Sequence, residues 1–338
     1  MNALFSLGRS TVRTTARADA ALRRTRIVMT SLVLCAIATS LCYQFVDVNP
    51  KFFDYAMSLR FPRLAGIITA AIAVAGASLV FQTVIRNHIV TPCLLGMNSL
   101  YVLIHTVVAF LFGATSEFST NPYITYVFDL ACMGVIGLLI YGYLFEKTGG
   151  NVLYILLIGT VLSTFFSSIQ STLIRMMDPN EYDALLNSLV ASFTNVSGPL
   201  IIPALLTLAA IAFVLRKDLA QLDILALGRE AAISLGVEHD RSVRRLLVGV
   251  ALSIAVATAL VGPISFLGLI TANLSRRLFK TYRHGTLTLG SILIGIVVLT
   301  GGQAAVEHLC AYTVPVSVFI TTAGGLYFLF LVLRSKGL

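Results

Sequence analysis

The sequence predicts an all-α membrane protein: about ten transmembrane helices, arranged as two inverted five-helix halves, with both termini cytoplasmic. Three observations carry that prediction. The 338 residues are 57% hydrophobic and 12% charged, with a mean hydropathy of +0.90. Soluble domains hold about 25% charged residues, so a chain this apolar cannot cover itself with polar surface. Apolar runs near the ~20 residues that cross a bilayer recur along it, and its cations gather in alternate connections, as the positive-inside rule requires.

In chain order, residues 1–26 form a basic tail with six arginines. An apolar run follows without a small-residue cleavage site, so the tail reads as cytoplasmic and not as a removed leader. The transmembrane domain is 27–335. Its clearest spans are 27–46, 64–85, 123–145, 152–174, 199–215, 287–306 and 314–333, with shorter ones at 94–112, 246–261 and 263–275. With both termini inside, 20 of the 24 Lys and Arg lie inside, and Lys51, Arg60, Arg63 and Arg175 lie outside. The acids divide seven to seven with Asp129 left within a span. A bias of cations without a bias of anions is a topology signal, and the net charge of +9 is its sum. A nucleic-acid partner is excluded on the same ground, because the basic residues are spread over inner connections with no aromatic-studded patch.

The segment Gly262–Arg277, GPISFLGLITANLSRR, has no charge until its end. It is expected to run from outside to inside, with Pro263 in the first helical turn, where the missing N–H costs nothing. Arg276 and Arg277 then mark the inner interface. Its apolar part, 263–275, is too short to cross alone and should be flanked by protein or a water-filled path.

Two stretches echo each other. Arg63-Leu64 precedes Ile72-Ala73-Val74-Ala75 at the spacing at which Arg245-Leu246 precedes Ile254-Ala255-Val256-Ala257. Leu94-Leu95-Gly96 and Phe266-Leu267-Gly268 follow in the same order. The echo relates the second span to the seventh and the third to the eighth, in opposite directions, as in an inverted repeat.

Enzymatic signatures are lacking. There is no phosphate-binding G-x-x-x-x-G-K-[ST], no H-E-x-x-H, no G-x-S-x-G and no paired carboxylates. The cysteines, Cys35, Cys42, Cys93, Cys132 and Cys310, are scattered through apolar runs, and the five histidines are far apart, so no metal site is expected. The fifth span instead carries Thr160, Ser163, Thr164, Ser167, Ser168, Ser171 and Thr172 along one face. Such a stripe either lets helices pack closely or lines a permeation path. Asp129 is either a functional intramembrane carboxylate or one satisfied by water or a backbone amide. The inner loop 216–245 mixes Leu222, Leu225, Ala226, Ile233 and Leu235 with charged residues and reads as short helices punctuated by glycine; off the membrane it wants a partner surface or the lipid interface.

These residues together resemble the permease subunits of type II ABC importers for iron-siderophores and cobalamin, over about residues 45–335. The outer R-x-P-R of that family is similar to Arg60-Phe61-Pro62-Arg63. Its inner N-P-L-(A)-x-P-x-x-L-G element is similar to Asn87 through Gly96, its A-L-G-x-x-x-A-x-x-L-G loop to Ala226–Val237, and its G-P-I-x-F-x-G-L to the charge-free segment. The chain departs from the pattern at His88, at Ile89, at Thr271-Ala272-Asn273, and at Val306-Glu307-His308, where some members carry an arginine. Asn273 in that setting, with Gly301-Gly302-Gln303, is similar to the branch serving catecholate siderophores. The resemblance implies a subunit of an ATP-driven importer in the bacterial cytoplasmic membrane. Its partners would be a second permease, two ATPase subunits that hold the ATP and Mg, an external binding protein, a ferric siderophore and lipid; this chain would hold no cofactor. Arg60 and Arg63 would dock the binding protein. Asn87, Ile89, Ser163, Ser167 and Ser171 would lie on the translocation path or its gate. Leu227, Gly228, Glu230, Ala231, Leu235 and Gly236 would couple to the ATPase. A haem or cobalamin importer is the alternative within this class. An ion-coupled secondary transporter is less well supported, because Asp129 is the only ionisable residue clearly inside a span.

Overall fold

A computed structural model describes residues 2–143, 147, 152–194, 196–310 and 314–335. Positions 144 and 145 at the end of the predicted fourth span, and Lys336, lie outside the described residues, as do the side chains of the first 21 residues. Ten helices of thirteen residues or more are present among the described residues. They are α1 (Asn2–Phe45), α2 (Phe53–Ile85), α3 (Met97–Phe112), α4 (Pro122–Gly137), α5 (Val152–Met176), α6 (Gly198–Val214), α7 (His239–Val261), α8 (Leu267–Phe279), α9 (His284–Cys310) and α10 (Val316–Ser335). Each overlaps one predicted span. Among the described residues, six helical stretches are long and apolar enough to cross a membrane, and α3, α6 and most of α10 are shorter apolar helices.

Local chemistry sets several boundaries. Asn121 accepts the Tyr123 amide ahead of Pro122, and Asp178 accepts the Asn180 amide ahead of Pro179, which opens the short helix Pro179–Leu189. Both are side-chain N-caps followed by proline at the first helical position, where no N–H is missed.

Helix α1 continues into the tail as far as Asn2, and its apolar stretch Leu22–Phe45 overlaps the expected span 27–46. Two expected boundaries are corrected. Helix α2 begins at Phe53, so Arg60-Phe61-Pro62-Arg63 lies within it and Pro62 is an internal helical residue. That leaves the Ser58 carbonyl without its helical donor, near the start of the helix. The charge-free segment is not helical at Pro263: it leaves α7 at Gly262 and turns at Phe266, which has a left-handed φ of 60°, before α8 starts at Leu267. Arg276 and Arg277 consequently sit in the last turn of α8 rather than beyond it.

The centre of the fold is the pair that the sequence echo relates. The apolar stretches of α2 and α7 are 72% and 67% buried by the rest of the chain, against 6% for α5. They pack on each other, and Ile67, Ala70, Ala71 and Val74 of α2 and Leu246, Val250, Ile254 and Ala255 of α7 are buried in the same apolar core. The surroundings are mirrored: α2 also packs on α9, and α7 on α4. Small residues set these spacings. A Cβ on Gly295 of α9 would lie 3.3 Å from Ala75 Cβ, and one on Gly137 of α4 would lie 3.0 Å from Ala251 Cβ. Without a hydrophobic drive between helices in lipid, such close backbone approach supplies the attraction.

Helix α8 wedges against α2 and α9. At Gly268 a Cβ would coincide with Ser78 Oγ of α2, so only glycine fits. Gly268→Val is expected to lower the stability of the detergent-purified chain by about 1–3 kcal/mol or more. A thermal-unfolding midpoint equal to wild type would refute this contact, and Ser78→Gly should recover part of the loss.

Candidate functional site

The residues singled out from the sequence fall in four places. The first is the junction of α1, α2 and α9. Arg60 donates through Nη1 to the carbonyls of Tyr43, Gln44 and Val46 at 3.0, 3.2 and 2.8 Å, which satisfies the open C-terminal end of α1. Its Nη2 lies 3.7 Å from Glu307 Oε2, and its guanidinium sits over the Tyr43 ring. Glu307 also accepts from Tyr43 Oη at 3.0 Å and from Gln303 Nε2 at 3.3 Å. The side chains of Arg60 and Glu307 are 13% and 3% exposed, so Arg60 is committed to holding three helices together rather than displayed for a partner. Arg63, also on α2, is half-buried and has no ion pair among the described residues.

The second place is the turn after α2. Arg86 ends the helix in a left-handed conformation, and Asn87 Oδ1 accepts the Ile89 amide at 2.9 Å. The side chain of Asn87 is therefore spent on the turn. The His88 carbonyl accepts from Asn273 Nδ2 of α8 at 2.7 Å, so two departures from the family pattern are in direct contact. Burial, then the nearby Arg276 and His284 charges, hold the exposed-edge His88 imidazole below its ordinary pKa.

The third place is the face of α5. The hydroxyls of Thr160, Thr164, Ser168, Ser171 and Thr172 each donate to a carbonyl one turn back, at 2.8–3.0 Å. Ser167 is exposed with them, while Ser163 is half-buried against Gly96. The stripe faces away from this chain's own core.

The fourth place is the connection between α6 and α7, built from short helices at Arg216–Ala220, Leu222–Leu225 and Arg229–Ser234. Leu222, Leu225, Ala232 and Val237 are buried in the chain's own core. Leu227, Ile233 and Leu235 are 60%, 50% and 60% exposed, with Glu230 exposed and Ala231 half-buried beside them. Gly228 has a φ of 106°, and a Cβ there would lie 2.8 Å from Arg86 Nη1. The left-handed φ favours glycine there, while the Arg86 side chain could swing aside.

Asp129 has the partner that the sequence could not supply. It is 1% exposed, and Oδ2 lies 2.9 Å from His105 Nε2 on α3. The Tyr101 ring lies against His105 with centroids 4.2 Å apart and planes tilted by 41°, and Asp129 Oδ1 has no hydrogen-bond partner among the described residues. The pair lines a cavity of about 270 Å³ with Ser119, Thr120 and Thr125. The partner is an imidazole rather than a backbone amide. His105 and Asp129 are on different helices, and no spacing in the sequence relates them.

The arrangement matches known proteins along nearly its whole length. The model of the FecCD transport family matches residues 25–334. The petrobactin import system permease protein YclO of Bacillus subtilis (strain 168) is 37% identical over 313 residues, covering 93% of this chain and 99% of that protein. The petrobactin import system permease protein FatC of Bacillus anthracis is 31% identical, covering 94% and 90%. The ferric enterobactin transport system permease protein FepG of Escherichia coli (strain K12) is 29% identical, covering 82% of each. A solved metal-chelate type ABC transporter in an inward-facing conformation shares the fold, with a TM-score of 0.76 at 22% identity over 92% of this chain and 99% of that one.

Removing a cation that a buried carboxylate depends on leaves that charge uncompensated. Arg60→Gln is therefore expected to destabilise the chain by about 3–5 kcal/mol, while Arg63→Gln stays near wild type. Equal unfolding midpoints for the two variants would overturn the assignment of Arg60 as a clamp.

Proposed function

The chain belongs to the FecCD transport family, and from that premise we propose a catecholate-type ferric siderophore as its cargo and a full ABC importer as its assembly. The chain is a multi-pass permease of the bacterial inner membrane in a siderophore-iron importer. The substrate class is supported by the relatives named for petrobactin and enterobactin. In this reading all ten helices belong to the membrane domain, in two inverted halves, with both termini and the 216–245 connection on the cytoplasmic side. The mirrored packing of α2 on α9 and α7 on α4 supports the inversion. Two ATPase subunits supply ATP hydrolysis, and a second permease completes the cavity. An external binding protein delivers the siderophore and docks at Arg63, with Arg60 shaping that surface from beneath.

The observation that carries the coupling role is the exposure of Leu227, Ile233 and Leu235 on a charged connection whose other apolar residues are buried. Three large apolar side chains at a fixed backbone geometry form a surface that needs covering, and the ATPase is the partner this family assembly provides. Burying one leucine contributes about 1.5–3 kcal/mol. The α5 stripe lies on the exposed side of the chain, where it meets the second permease or the cavity between the two.

Leu227→Asp should insert normally and still bind the external protein, but ATPase content in the purified complex should fall sharply. A normal ATPase content would transfer the loop to the lipid surface instead. Arg63→Glu should weaken binding-protein affinity for the reconstituted complex without loss of assembly, and unchanged affinity would remove Arg63 from the docking surface. In a cysteine-free background, Ser167→Cys and Ser171→Cys should react with water-soluble thiol reagents at rates that nucleotide changes. Inertness in every state would make the stripe a packing face.

A further inference from the structure

The coupling connection is tied to the start of α9 by hydrogen bonds between Asp223 and His284. Asp223, in the short helix Leu222–Leu225, accepts the backbone amide of His284 at 2.8 Å, and the same oxygen lies 2.6 Å from His284 Nδ1. His284 is the first residue of α9 and its side chain is 8% exposed, while the carboxylate of Asp223 is half-exposed. The carboxylate therefore acts as an N-cap supplied from 61 residues away and compensates the positive end of α9. Burial pushes the Asp223 carboxyl up, but the His284 amide and ring, with Arg283, outweigh it and hold the group below the usual carboxylate range.

The first turns of α9 are in turn bound to α8. Ser275 Oγ, fully buried, donates to the Leu287 carbonyl at 2.7 Å, and at Gly290 a side chain would collide with Phe279. Helix α8 is then fixed to α2 by Arg276 Nη2 on Thr83 Oγ1 at 3.2 Å, and to the turn after α2 by Asn273 on the His88 carbonyl. The connection also passes beside the Arg86 side chain at Gly228, at the start of that same turn. A displacement of the connection thus meets α8 from both sides, at the α9 junction and at the 86–91 turn.

We propose that Asp223 and His284 are a positioning pair that fastens the coupling connection to the start of α9, so that movement of the connection is delivered to the α8–α9 junction. This rests on the coupling role assigned above. Energetic coupling of this kind needs a contiguous set of contacts with a demonstrated bias, and the Asp223–His284 and Ser275–Leu287 hydrogen bonds, joined by the first turn of α9, supply the contiguity.

The test uses the complete complex in proteoliposomes, with ferric petrobactin as the cargo. Asp223→Ala is expected to keep its subunit composition and its ATP hydrolysis while moving about fivefold less siderophore per ATP. Asp223→Asn, which keeps an oxygen for the His284 amide, should recover most of the ratio. Hydrogen exchange over residues 284–290 should change on adding nucleotide in wild type and not in Asp223→Ala. An unchanged transport-to-ATP ratio in Asp223→Ala overturns the proposal. So does a lower yield of complex whose surviving fraction couples normally, because that is a purely structural role. If the wild-type complex moves no siderophore, the cargo reading fails; the nucleotide-dependent exchange still decides the pair, and equal exchange changes in both proteins would overturn it.

Discussion

The contact between α2 and α7 is the one on which the other helices depend. Both are lined with alanine, valine and isoleucine and are largely covered by their neighbours. In a bilayer there is no gain in hiding one apolar surface from another, so attraction comes from how closely backbones approach. Small side chains on α2 and α7 allow that approach, and glycines on α4 and α9 extend it outward. Helix α8 can be short because it is held on this platform, with Gly268 against Ser78 and Arg276 on Thr83.

The polar contacts described above cluster at two rims of this platform. Arg60 and Glu307 close one rim by tying α1, α2 and α9. At the other, the turn after α2, the end of α8 and the start of α9 meet the connection that carries Leu227 and Leu235. Conserving stiffness between the rims matters for a transporter that has to convert a movement at one end into an opening elsewhere. Packed cores have discrete arrangements and transmit displacement instead of absorbing it.

Helix existence was legible in the sequence because each helix writes its own apolar run, and the α2–α7 relation was legible because the two runs repeat a pattern. The loop 216–245 was legible from its mixture of leucines and glycines, and the structure divides those leucines into buried and displayed sets. What the sequence hid were facts about two distant segments at once. The R-x-P-R motif gives no sign that Arg60 turns inward to Glu307, since that partner is 247 positions away. His105 and Asp129 find each other only when α3 and α4 are side by side. The true start of α8 was hidden for a local reason: Pro263 is a good first helical residue, but the left-handed Phe266 interrupts the chain before the helix begins.

The hydroxyl face of α5 has a consequence beyond its location. Most of its hydroxyls are already bonded to their own helix, so each has a donor spent and only lone pairs to offer. Using the donor within the helix lowers the cost of covering such a surface, because only the acceptor lone pairs then lose water. Whether a neighbouring helix or water meets it, a face of this kind presents acceptors and no free donors at the bonded positions.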